Sequence, residues 1–309
     1  MLAARLHRFD GPSALTLEEI PLPQPAADEV LIRVRAASVN PADVLISEGR
    51  FPRVTAQDLP LDLGSDVAGA VVACGTSMLD FAKGDAVYGK TSIGHGAFAE
   101  YALLNRDAVA RAPVNIDLAT AAAIPLAALT ALQGLFEHGG LTRGQRVAIV
   151  GGAGGVGHFA VQMARIAGAE VVAVASQRDL AFVRALGAHD AVARDEEPGD
   201  WLAAIDLVLD LAGGPSQDRW WAVLGSNGAI VSPTRLPDET LRTAPGQSGR
   251  RYICRANRAD LERVTGWVES GELAVTIAAR YPLGDITAAL NRIKHGGLQG
   301  KILVDVARD

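Results

Sequence analysis

Gly152, Gly154 and Gly157 stand at the spacing G-x-G-x-x-G within the run Val147-Ala148-Ile149-Val150-Gly151-Gly152-Ala153-Gly154-Gly155-Val156-Gly157. Glycines so spaced suit one task. The first permits a tight turn, the second lets the backbone approach a pyrophosphate, and the third lets a helix pack closely on a strand. Free N–H groups at the new helix's N-terminus would then face the phosphates. The flanking sequence supplies that context: an apolar strand-like run precedes the glycines, and Val156, Phe159, Ala160, Met163, Ala164 and Ala167 recur at helical spacing until Gly168. Glu170 to Ala175 reads as a second strand, which completes a β-α-β unit of about 30 residues.

The residues after the second strand select the cofactor. An NAD site wants an acid there to bond the ribose 2′-OH, whereas this chain offers Ala175-Ser176-Gln177-Arg178, with no carboxylate at the tip. The Ser176 hydroxyl and the Arg178 guanidinium suit a 2′-phosphate, so the expected cofactor is NADPH.

The 309 residues exceed the usual single-domain size and predict two domains. With 29 basic against 35 acidic residues the net charge is −6 and no basic block stands out, so neither nucleic acid nor an anionic membrane is an expected partner; a small molecule is. Cys74 and Cys254 lie far apart without a C-x-x-C, which indicates neither a disulfide framework nor a cysteine zinc site. The N-terminal residues lack a long apolar stretch, and the apolar segment Leu118 to Leu135 is interrupted by Thr120, Pro125, Thr130, Gln133 and Gly134. That pattern favours a buried helix over a membrane span, and a cytoplasmic location is expected.

Residues up to about Asn115 alternate short β-like runs such as Val30 to Val34 and Val67 to Val72 with Gly and Pro turns, as in a compact β domain. From Ile116 to Ala256, strand candidates (Val147 to Val150, Val171 to Ala175, Ala191 to Ala193, Leu207 to Asp210, Ala229 to Val231) alternate with helices. That rhythm implies a doubly wound parallel sheet, an α/β fold. The tail carries helix patterns at Ala259 to Ser270 and Ile286 to Ile293, then the strand-like Lys301 to Val306.

The chain resembles the zinc-free quinone oxidoreductase branch of the medium-chain dehydrogenase/reductase superfamily, the zeta-crystallin-like quinone reductases, over nearly its whole length. The matching stretches include Asn40-Pro41-Ala42-Asp43, Gly64-Ser65-Asp66-Val67-Ala68-Gly69, Gly84-Asp85-Ala86-Val87-Tyr88-Gly89, Gly96-Ala97-Phe98-Ala99-Glu100-Tyr101, Pro125 to Ala131, the glycine run, Asp210 to Gly214 and Gly300-Lys301-Ile302. The resemblance implies a GroES-like β-barrel domain from residues 1–115 and 257–309, a Rossmann domain from 116–256, an active site between them, and a homodimer. It also implies that Gly154, Gly155, Val156 and Gly157 line the pyrophosphate and nicotinamide and that Thr130 lies near the nicotinamide. Ser176 and Arg178 would sit near the 2′-phosphate, and Asn40 and Asp43 would face the catalytic cleft. Zinc-dependent cousins have a cysteine where Asn40 stands and a His-Glu pair where Ser65-Asp66 stands, so no metal is expected.

Without a metal, a quinone or conjugated enone is the fitting acceptor, since it delocalises the incoming negative charge onto oxygen, and the protein needs mainly positioning and donors near that oxygen. The expected reaction is therefore NADPH-dependent reduction of a small apolar quinone or enone. Relatives often carry a tyrosine proton donor where this chain has Leu45, and another where it has Phe51. Asn40 can donate an amide N–H to a substrate oxygen and Tyr252 can reach the cleft from its loop; turn stabilisation and aromatic packing are the competing roles. Arg194, where relatives often have a tyrosine, offers a second cation to the 2′-phosphate. The six histidines show no ligand spacing and read as surface or helix-end residues. Two alternatives stay open: a non-catalytic NADPH-binding sensor or structural protein like certain crystallin relatives, and an enoyl-thioester reductase.

Overall fold

A computed structural model describes residues 1–196 and 204–307. The N-terminal strands are β1 (Leu2–Leu6), β2 (Leu15–Glu19), β3 (Glu29–Ser38), β4 (Leu61–Asp62), β5 (Asp66–Cys74), β6 (Ala86–Lys90), β7 (Tyr101–Asn105) and β8 (Val109–Arg111). One short helix, α1 (Pro41–Ser47), interrupts them. The local sequence explains α1: Asn40 caps it, Pro41 holds the first helical position, and the Asp43 carboxylate returns to accept the Asn40 backbone N–H at 2.8 Å.

Helices α2 (Leu118–Ala121) and α3 (Pro125–Leu132) lead into the parallel sheet. The apolar segment expected to be one buried helix is thus broken, because Pro125 has no N–H to continue a helix and instead starts a new one. The sheet comprises β9 (Arg146–Val150), β10 (Glu170–Ala175), β11 (Asp190–Ala193), β12 (Ile205–Asp210), β13 (Leu224–Ser232) and β14 (Ser248–Arg251), with α4 (Gly157–Ile166) and α5 (Leu180–Ala185) as crossovers. Its order, β11-β10-β9-β12-β13-β14, reverses direction between β9 and β12. A crevice at the C-terminal ends of those two strands is where such sheets bind ligands. Val147, Ala148, Ile149 and Val150 are all buried because both faces of β9 are covered.

The chain then forms α6 (Arg258–Glu269), β15 (Ile277–Pro282), α7 (Ile286–Lys294) and β16 (Lys301–Asp305). β16 lies antiparallel to β3, so the tail completes a sheet of order β15-β16-β3-β5-β6-β8, with β7 also on β3. The barrel core gathers Leu6, Ile32, Val67, Phe98, Leu104 and Ile302 around one centre. The cores do not divide at the expected 256/257 boundary: Leu261, Val264 and Val268 of α6 pack into the same core as β9, α3 and α4. Among the described residues no helix is long and apolar enough to cross a membrane.

Candidate active site

A cleft of about 1230 Å³ runs between the two domains at the β9/β12 crevice. Its floor is the glycine loop, and the structure reassigns the glycine roles. Gly151, with φ of +88°, makes the turn. Gly152 is buried, and a Cβ on it would lie 3.2 Å from the Ala173 methyl and 3.4 Å from Val161, so it serves packing rather than the cleft. Gly154, Gly155, Val156 and Gly157 line the cleft as expected. A Cβ on Gly157 would come within 2.1 Å of the Gly151 carbonyl oxygen, and one on Gly155 within 3.0 Å of Lys301 Cδ. Leu211 and Ala212, from the turn after β12, form the opposite wall; Asp210 orders that turn by accepting from the Ala212 and Gly213 N–H groups at 3.1 and 3.0 Å.

His158, read as a surface or helix-end residue, stands in the first turn of α4 and is fully buried beneath this loop. Its Nδ1 is 3.1 Å from the Gly154 carbonyl, and burial pushes its pKa down to about 4, so the ring is neutral.

At the adenosine end Ser176, Arg178 and Arg194 line the cleft, joined by Arg219 and Arg292. Arg194 is exposed, and its guanidinium makes no hydrogen bond or ion pair among the described residues. Arg178 donates to the Gly297 carbonyl at 2.8 Å, and its Nε lies 3.8 Å from Asp179 Oδ2. The expectation of no carboxylate here fails at two positions, and one of them, Asp195, is exposed beside Arg194. Asp179 also lines the cleft, but it is buried, bonded by the Ser176 hydroxyl and accepts from Gln299 Nε2 at 2.8 Å. Its oxygens are therefore engaged within the protein. A dinucleotide fits this end: at Gly157 a Cβ would strike the Gly151 carbonyl oxygen, so the backbone there must stay bare, and the arginines supply charge for a 2′-phosphate.

At the other end, Asn40 and Lys301 line the cleft. Lys301 opens β16 and is 3% exposed; its ammonium donates to Asn40 Oδ1 at 2.6 Å, Asp66 Oδ2 at 3.2 Å and the Val39 carbonyl at 3.3 Å. Asp66, fully buried, also accepts from Ser38 Oγ at 2.8 Å, Asn40 Nδ2 at 2.9 Å and, through Oδ1, the Leu126 N–H at 2.6 Å. Every buried charge here is thus paired and hydrogen-bonded, the condition for keeping ions in a low-dielectric interior. The network ties β3, β5 and β16 to the N-terminus of α3, and so joins the two domains. Sequence reasoning missed both charged partners as site residues. Lys301 was visible only as part of Gly300-Lys301-Ile302, and Asp66 only as the occupant of a ligand position.

The expected catalytic residues are corrected accordingly. Asn40 does face the cleft, but its amide N–H groups go to Asp66 and, at 3.4 Å, to the Ser38 carbonyl, so it orients the cluster rather than donating to substrate. Asp43 is fully buried and caps α1 away from the cleft; burial pushes its carboxyl up to about 7, and its Oδ1 has no hydrogen-bond partner. Tyr252 is 3% exposed, donates its hydroxyl to the Thr130 carbonyl at 2.7 Å and stacks on His138, with burial raising its phenol above the usual range. It is a packing residue, because the segment after β14 turns inward against α3. Thr130 itself is buried, bonds the Leu126 carbonyl one turn back at 2.6 Å, and leaves Ala127 as the α3 residue on the cleft.

Residues 26–114 match the alcohol dehydrogenase GroES-like domain, and residues 186–304 match the zinc-binding dehydrogenase family. The chain is 30% identical over 312 residues to a chloroplast envelope quinone oxidoreductase homolog of Arabidopsis thaliana, covering 96% of this chain and 95% of that one. The chain belongs to the quinone oxidoreductase branch of the medium-chain dehydrogenase/reductase superfamily. Another member, the NADPH-dependent alkenal/one oxidoreductase of Arabidopsis thaliana, is 32% identical over 96% of this chain and 77% of its own length. The quinone oxidoreductase structure from Coxiella burnetii superposes with a TM-score of 0.90 at 29% identity, over 99% of both chains.

The second family description raises the question of zinc. A zinc ion needs three or four N, S or O ligands converging at about 2.0–2.3 Å. In this member the position between Asn40 and Asp66 is held by a lysine ammonium, and no group of three or more His, Cys, Asp or Glu side chains gathers among the described residues. These residues do not fit the metal.

Proposed function

We propose that the protein is an NADPH-dependent oxidoreductase that reduces small quinones or α,β-unsaturated carbonyl compounds, working without zinc as a cytoplasmic homodimer. The observation that carries this reading is the continuity of one cleft, from Ser176, Arg178 and Arg194 past Gly154 to Gly157 and on to Asn40 and Lys301. The relatives' quinone and alkenal/one oxidoreductase activities support the acceptor class.

Bound NADPH supplies the hydride. The backbone of Gly154 to Gly157 would hold the pyrophosphate, and Arg178 and Arg194 would hold the 2′-phosphate, with the Ser176 hydroxyl beside them engaged on Asp179. Asn40, fixed between Lys301 and Asp66, forms a rigid polar wall against which nicotinamide and acceptor align; Val39, Pro41 and Ala127 supply apolar surface that excludes water. A conjugated acceptor suits this end, because charge reaching its oxygen needs positioned donors rather than a metal.

Following NADPH oxidation against a panel of quinones and enones, with NADH in parallel, tests the reading. Saturable oxidation with NADPH and identified reduced products is the expected result. Tight NADPH binding with no turnover of any acceptor would overturn it in favour of a non-catalytic binder.

A further inference from the structure

Ser38 pairs with Asp66 across β3 and β5, and Asp66 pairs with Lys90 across β5 and β6. Directly opposed residues on neighbouring antiparallel strands present their side chains to the same face. Lys90 therefore projects on the side of the sheet that carries Ser38, Asp66 and, through them, Lys301 and Asn40. It is half-buried. Its charge opposes the burial that raises the Asp43 carboxyl, which faces away from the cleft, and the Cys254 thiol; Lys90 itself stands outside the lining of the nucleotide cleft. Cys254 in turn lies against the Leu126 carbonyl of α3, at the domain junction.

The neighbouring donors are already used. Lys301 gives three hydrogen bonds to Val39, Asn40 and Asp66, which is every proton an ammonium has. Ser38 donates to Asp66, Thr91 Oγ1 to the Gly64 carbonyl at 2.8 Å, Thr130 to Leu126 and Tyr252 to Thr130. Tyr88 donates to Leu261 at 2.7 Å. Positions 45 and 51 carry Leu and Phe. Lys90 differs: it makes one hydrogen bond, to the Thr91 carbonyl at 3.3 Å, and no ion pair among the described residues. Two N–H groups are left over.

We propose that Lys90 is a catalytic residue, whose ammonium bonds the oxygen of the quinone or enone and delivers the proton of the reduction. The assignment rests on the reductase reading above. As hydride adds to the acceptor with its two electrons, the conjugated π pair shifts onto oxygen. A Lys90 N–H bond then breaks, its proton goes to that oxygen, and a neutral amine remains. The product is a hydroquinone, or an enol that tautomerises to the saturated carbonyl compound. The half-exposed amine regains a proton from solvent.

The test compares Lys90→Met and Lys90→Arg with the wild type in two measurements: turnover of an enone, and binding of 4-nitrophenol in the presence of NADP⁺, read from the absorbance of its phenolate, which mimics the product-side oxyanion. In K90M, kcat should fall about 100-fold or more, the range for a lost general acid, with NADPH affinity within about twofold of wild type. Phenolate binding should weaken at least about tenfold in K90M, by loss of a charge-assisted hydrogen bond, and recover in K90R, which keeps the charge. Wild-type turnover with K90M unchanged in both measurements overturns the Lys90 assignment alone. A wild type that turns over no acceptor overturns the reductase reading and this assignment with it.

Discussion

The two ends of the cleft are built by different means. At the end proposed for the phosphates the cradle is backbone, and the residues that shape it are those whose side chains are absent: Gly151 turns, Gly157 admits the Gly151 carbonyl, and Gly154 and Gly155 stay bare. At the catalytic end side chains do the work, and they come from Ser38, Asn40, Asp66 and Lys301, brought together from two ends of the chain by the β16–β3–β5 register. A backbone site is encoded locally and tolerates no added atom where backbone meets backbone, as at Gly157. A side-chain cluster is encoded by strand register and tolerates no missing partner.

The largest expected effect breaks the side-chain cluster. Lys301→Met leaves the Asp66 carboxylate buried without its cation, which should cost about 3–5 kcal/mol of stability, measured by denaturant unfolding. Adding Asp66→Leu should restore part of that loss, because no uncompensated charge remains. A single-variant cost below about 1 kcal/mol would mean the pair does not hold this end together.

Next comes Asp43, whose folded pKa of about 7 lies above the ordinary aspartate value of 3.8. A raised carboxyl favours the protonated folded form, so its stabilising contribution is full below about pH 4 and is lost as pH rises through about 7. Wild type should therefore lose stability relative to Asp43→Asn across that window, by at most about 1.4 kcal/mol per pH unit, and run parallel to it above. Parallel curves throughout would show that the carboxyl titrates normally.

The backbone end is sharpened by Gly157→Ala. The added methyl meets a backbone carbonyl that cannot move aside, and the overpacking should cost about 1–3 kcal/mol together with weaker NADPH binding. Unchanged melting and NADPH titration would contradict the close approach. The smallest effect is expected for Arg178→Gln with Arg194→Gln. NADPH affinity should fall about tenfold, or about 1.4 kcal/mol, while NADH affinity holds; equal losses for both cofactors would remove these arginines from the 2′-phosphate.

The same contrast explains what the sequence made legible. The β-α-β unit was readable because strand, glycines and helix are contiguous, and β9, α4 and β10 fall where periodicity places them. β14, Ser248–Arg251, carries no apolar alternation and escaped notice; it is an edge strand whose residues are mostly exposed. Gly151 was passed over for Gly152 because five glycines in seven residues leave the turning position open. Asn40 was placed on the cleft, yet its lack of a free donor could not be foreseen, since Asp66, which accepts from its amide N–H, lies 26 residues away and Lys301, which donates to its amide oxygen, lies 261 away. Tyr252 looked available for the same reason: nothing local to it reveals that its hydroxyl ends on Thr130.

The most direct test of the central claim is a single turnover with NADPH deuterated at the transferring C4 position and a conjugated enone, with the product analysed by mass spectrometry and NMR. The account predicts stoichiometric NADPH oxidation and one deuterium on the β-carbon of the saturated product. Tightly bound NADPH whose deuterium stays in place with every enone and quinone tried would contradict it.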